Sequence, residues 1–211
     1  MIKYKSITLF VLGDKMELEI KWKECTEINM KPKEFVKFVA PKVGKEQPFE
    51  DVKAFRDRGY LTFKEFLKLA LCKSPRPKPH YLKNKPKDVE NITRKAFKLA
   101  RKDPENLHDI ISTLKELKGV SVPVASYILT AWNPKDYGTY DFRMKKILQK
   151  CEGFEEPKTE SNLEWYEAEL RLLRKWKKEL GIRTCRQIEY ALWRFQQMKG
   201  DCDEIHKSYH F

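Results

Sequence analysis

Cysteine is scarce in this 211-residue chain, and its placement follows no pattern. The five residues, Cys25, Cys72, Cys151, Cys185 and Cys202, are scattered and odd in number, which argues against a disulfide framework. Long apolar runs are missing, so no segment reads as a membrane span. The opening MIKYKSITLFVLGDK meets charge too early, and its apolar stretch is too short, for a secretory signal. Internal repeats and low-complexity tracts are also lacking. These absences lead to the expectation of a reducing, cytoplasmic setting without a membrane.

What is abundant is positive charge. Forty-four Lys and Arg stand against 31 Asp and Glu, a net charge of +13 at pH 7. Such an excess points to a polyanionic partner, whether DNA, RNA or an anionic membrane. Lys and Glu enrichment with few Asn and Gln also fits the solvated surface of a heat-adapted protein. Hydrophobic residues make up 41% of the chain, enough for a core at this length.

Within residues 1–30, Ile7, Leu9 and Val11 alternate with Thr8, Phe10 and Leu12, and Met16, Leu18, Ile20 and Trp22 with Glu17, Glu19 and Lys21, on either side of Gly13-Asp14-Lys15; this predicts a β-hairpin, with a helix as the competitor for the second half. From about residue 33 the period becomes helical. Thr62 with Glu65 makes a capping-box pattern before Phe63, Phe66, Leu67 and Ala70. Residues 72–87, with four prolines and many cations, read as a loop. A helix is expected over about 88–102, and Asp103-Pro104-Glu105 predicts a fresh helix start. Ser161 with Glu164 and Thr184 with Gln187 predict the caps of two final helices, whose inward stripes include Tyr166, Leu173, Trp176, Ile188 and Phe195. Cys202, His206 and His210 are four residues apart, a zinc-like spacing that lacks a fourth ligand.

Residues 105–150 carry the most information. An amphipathic helix runs into LKGVSVP and straight on into VPVASYILTAW. So short a turn leaves backbone N–H groups unpaired at the start of the second helix, a site suited to a phosphate. A plain structural hairpin would have the same pattern. A loop over 133–140 then leads to Asp141 in GTYDFRMKKIL.

This stretch resembles the signature of the helix-hairpin-helix DNA glycosylase superfamily, whose pattern is Leu-Pro-Gly-Val-Gly-x-x-Thr-Ala followed by an apolar helix, a loop and a catalytic Asp. The counterpart here is Leu117-Lys118-Gly119-Val120-Ser121-Val122-Pro123-Val124-Ala125. Family members that also cut the strand carry a lysine four residues after the first hairpin glycine and the Asp eighteen residues further on. Those positions are Pro123 and Asp141 in this chain. KSPRPKPHYLKN and CRQIEYALWRF look like parts of a prokaryotic branch of the superfamily.

The resemblance implies a mainly α, two-subdomain glycosylase-like fold, with an added N-terminal β-hairpin. The expected layout is a β element over 1–30, a helical domain over 31–155 and C-terminal helices over 156–211 packing back on it. It implies removal of a damaged, mismatched or modified base from double-stranded DNA by a monomeric, monofunctional enzyme. Asp141 would be the catalytic carboxylate, stabilising an oxocarbenium-like sugar and activating water. An ordinary N-cap is the other reading of that Asp. Pro123 in place of the lysine implies no strand cleavage through that position, and Ser121 in place of the second glycine departs from the phosphate-binding pattern. The four-cysteine motif of the iron–sulfur members is absent, so no cofactor is expected.

Lys118, Gly119, Val120, Ser121, Lys73, Arg76 and Arg143 are the DNA-binding candidates. Tyr137, Tyr140 and Trp132 are candidates for a base pocket or wedge, with Tyr127 assigned to the core. Lys145, Lys146, Arg171, Arg174, Lys175, Lys177 and Lys178 read as solvated helix faces. The rivals are a non-catalytic DNA-binding module, a glycosylase with a relocated lyase lysine, and an RNA-binding or structural basic protein.

Overall fold

The computed structural model describes residues 31–43, 47–50 and 54–200, and all regular structure among them is helical. The hairpin expected over 1–30 and the Cys202–His210 spacing lie outside the described residues. The helices are α1 (Pro32–Val39), α2 (Gln47–Glu50), α3 (Ala54–Arg58), α4 (Phe63–Lys73), α5 (Lys78–Tyr81), α6 (Pro86–Lys102), α7 (Leu107–Lys115), α8 (Val122–Trp132), α9 (Lys145–Leu148), α10 (Asn162–Glu179) and α11 (Cys185–Gly200).

Local chemistry sets most boundaries. At the start of α4 the Thr62 hydroxyl accepts from the Glu65 N–H at 3.4 Å, and the Glu65 carboxylate accepts from the Thr62 N–H at 2.8 Å. Thr184 caps α11 in the same manner, accepting from the Gln187 N–H at 3.1 Å. Ser161 precedes α10 without a side-chain cap bond. The expected restart at Asp103 is instead a turn, in which the Asp103 carboxylate accepts from the Glu105 N–H. The next helix, α7, begins after Asn106, whose side chain accepts from the Asp109 N–H. The proline-rich stretch expected as a loop contains α5 and the first residues of α6. Prolines stop a helix only from its interior; Pro79 and Pro86 sit in first turns, where the missing N–H costs nothing.

The core is organised around α8. This helix is apolar on nearly every side, and such a helix belongs in an interior. Val124, Ala125, Ile128, Leu129 and Ala131 are all fully buried. The flanking helices α4, α7 and α10 pack on it, α6 lies against α7, and α11 joins α10 to α1. The Phe35 and Phe195 rings meet at 5.0 Å where α1 and α11 cross. At the far end of α8, Trp132 stacks on Phe97 at 4.9 Å with the planes 4° apart. Arg174 and Lys177, expected as solvated, tie α10 to the neighbouring loops: Arg174 reaches the Asp136 and Pro104 carbonyls, and Lys177 the Asp136 carboxylate.

Candidate nucleic-acid interface and carboxylate site

The turn between α7 and α8 needs glycine at position 119 for two reasons. Gly119 has φ +86, and a Cβ there would lie 2.8 Å from the Tyr81 ring and 3.0 Å from His80 Cβ. Its close neighbour is thus the chain's own α5. Asn84 clamps the same turn: its amide donates to the Lys118 carbonyl (3.0 Å) and the Tyr81 carbonyl (2.9 Å), and its oxygen accepts from the Lys118 N–H (2.8 Å). Val120 is buried, while Lys118 and Ser121 are exposed. No side chain caps α8, and the N–H groups of Val122 and Val124 have no acceptor among the described residues.

One hydroxyl joins this helix start to Asp141. Ser126 Oγ donates to the Pro123 carbonyl at 2.9 Å and accepts from the Tyr140 N–H at 2.9 Å. The segment before Asp141 is further fixed by Thr139, whose hydroxyl bonds Thr130. Gly138 lies so close to α10 and α11 that a Cβ would approach Leu173 to 2.5 Å and Glu189 to 3.1 Å. The backbone just before Asp141 is therefore tied to the middle of α8.

The Asp141 carboxylate is almost buried. Its Oδ1 accepts from the Arg143 N–H and Nε, both at 3.0 Å, so that Asp141 caps the short 3-10 turn Phe142–Met144. Its Oδ2 accepts from Arg143 Nη2 at 2.6 Å and faces Lys73 Nζ at 3.5 Å. Burial alone would raise this carboxyl; the Arg143 hydrogen bonds and the Lys73 charge outweigh it and hold the group below its ordinary value. It is ionised at neutral pH.

Behind Asp141 lies an acidic interior that the sequence reading missed. Glu169 is completely buried, and neither carboxylate oxygen has a hydrogen-bond partner among the described residues. Burial, with the charges of Glu189 and Asp141, pushes it well above the usual carboxylate range, favouring the neutral acid. Glu189 is buried too and pairs with Arg186. The hydroxyls of Tyr137 and Tyr166 are likewise enclosed without partners among the described residues. The signal was legible: Glu169 falls three residues after Tyr166 and four before Leu173, inside the inward stripe of α10.

The structure thus brings Lys73, Arg143 and Asp141 together, while the turn that carries Lys118, Gly119, Val120 and Ser121 packs against α5 and Asn84. Lys73, expected on phosphates, sits mostly buried beside Asp141. Arg76 is exposed in the turn that follows α4. Tyr137, Tyr140 and Trp132 occupy the core in place of the open pocket or wedge expected of them. Trp132 ends α8 and the rings of Tyr137 and Tyr140 are buried beside it, with the Tyr140 hydroxyl donating to Asn162 at 2.9 Å. The exposed aromatic next to Asp141 is Phe142, at 64% exposure, beside an open cleft of about 460 Å³. No group of His, Cys, Asp and Glu among the described residues is placed to hold a metal ion. No protein-family model, curated protein or solved structure matches this chain.

Proposed function

We propose that this chain binds double-stranded DNA and removes a base by hydrolysing its N-glycosidic bond. The observation that carries the reading is the buried Asp141 carboxylate held by Arg143 and Lys73, with the preceding Tyr140 N–H bonded through Ser126 to the first turn of the uncapped α8. A helix start without a cap offers N–H donors and positive potential to a backbone phosphate. A carboxylate fixed nearby has the charge needed to stabilise an oxocarbenium-like sugar as the bond electrons leave with the base, and to accept a proton from the attacking water. Arg143, more than half exposed, can turn from Asp141 to a phosphate when DNA arrives. Exposed Lys118 and Arg76 supply further phosphate contacts.

Two rivals have specific observations behind them. Arg143 engages both oxygens of Asp141, as expected of a structural pair in a non-catalytic DNA-binding module. Lys73 places an amine 3.5 Å from the same carboxylate, which favours strand cleavage through a relocated lysine. One set of assays separates all three. Wild type and Asp141→Asn are incubated with duplexes that each carry one modified base, and alkali reveals abasic sites. The glycosylase reading expects release by wild type and a loss of at least about 100-fold in Asp141→Asn, with binding retained. Salt-sensitive binding without release from any duplex supports the module. Borohydride trapping that Lys73→Gln abolishes supports the lyase.

A further inference from the structure

Phe142 is the most exposed large apolar side chain among the described residues. It is held out on a rigid support. The Asp141 carboxylate caps its turn, the Met144 N–H donates to the Asp141 carbonyl at 2.8 Å, and Met144 is fully buried. The ring borders the open cleft of about 460 Å³. Arg143, Lys145 and Lys146 line the same cleft, with Trp165 among its walls. Lys145 lies 4.4 Å above the Trp165 ring and pairs with Glu160. The other acidic residue of the lining, Glu156, accepts from the Gln149 amide at 2.6 Å. Lys146 is exposed, with no acidic partner among the described residues.

We propose that Phe142 is a nucleobase-stacking residue: an unpaired base lies on its ring while the adjoining phosphates are held in the cleft by Arg143 and Lys146. The assignment rests on the nucleic-acid reading above and goes beyond it, because it names the element that grips a base outside the helical stack. An apolar protein partner would require a contiguous apolar patch. A single ring set among cations suits a π face flanked by phosphate charge instead.

The test compares a duplex carrying one bulged 2-aminopurine with the fully paired duplex of the same sequence. Wild type is expected to prefer the bulged duplex and to quench the 2-aminopurine emission by stacking. Phe142→Ala should lower that preference, the ratio of the two Kd values, roughly 5- to 100-fold and abolish the quenching. Phe142→Trp should retain both. A preference and quenching unchanged in Phe142→Ala would overturn the assignment even if wild type excises bases. A Phe142-dependent preference without base release would uphold it and remove only the catalytic reading. Failure of wild type to bind either duplex at low salt would overturn both.

Discussion

Asp141 and Glu169 are carboxyls of one interior with opposite titration behaviour. Asp141 is held below its ordinary value near 3.8, so the stability it confers is present above that pH and is lost as pH falls through its folded value. Glu169 is raised well above its ordinary value near 4.5, so the fold favours its neutral acid. Between those values the unfolded chain has already lost the proton that the folded chain keeps, and stability declines as pH rises. Glu169→Gln removes the titration. In urea unfolding at a series of pH values, this variant should gain on wild type from weakly acidic pH upward, with a gap that widens with pH. A constant gap would mean that Glu169 is ionised in the fold. Composition could not indicate this, since a Glu on a helix is ordinarily solvated. Only its register within the stripe of Tyr166 and Leu173 distinguishes it. The tyrosines were misread for a related reason. Proximity to Asp141 in sequence suggested a pocket, but Tyr137 and Tyr140 belong to an extended segment pressed between α8 and the final helices, where even Gly138 has no spare room.

At the scale of elements, the hairpin turn, α5 and the end of α4 form one unit. Gly119→Ala combines an unfavourable φ with a clash against Tyr81, and we expect a loss of about 1–3 kcal/mol in thermal or denaturant unfolding. Asn84→Ala strips the turn of one donor and one acceptor at a buried position and should cost about 1–3 kcal/mol. It should also weaken duplex binding, because the turn that presents Lys118 loses its clamp. If Asn84→Ala unfolds like wild type, the clamp contributes nothing. The hairpin itself was legible from its two apolar stripes, although the connection expected to take two or three residues spans Glu116–Ser121, because the first helix ends at Lys115. Its partner was not: α5 hides among prolines, and no local pattern states that Tyr81 fills the space a side chain at 119 would need. Capping pairs such as Thr62–Glu65 and Thr184–Gln187 were legible because donor and acceptor lie three residues apart in one chain segment.

For the molecule as a whole, the proposed DNA binding together with the +13 charge predicts association dominated by phosphate contacts. The logarithm of the duplex binding constant should fall linearly with the logarithm of salt concentration, at a slope of about −0.9 per phosphate engaged. Lys118→Ala and Arg76→Ala should each lessen the slope by roughly one phosphate. A slope near zero would count against a nucleic-acid partner. The helical class followed from periodicity, and the crossing of α1 with α11 required the structure, because nothing in either segment specifies the other.

The Ser126 hydroxyl has a mechanical consequence. By accepting from Tyr140 and donating to Pro123, it makes the hairpin start and the carboxylate two marks on a single stiff ruler. If phosphate is gripped at one mark and the sugar is attacked at the other, the protein has fixed that span before DNA arrives. On that proposed reading the duplex would be the softer body, the strand would bend to the gauge, and a nucleotide that bends cheaply would be the one selected.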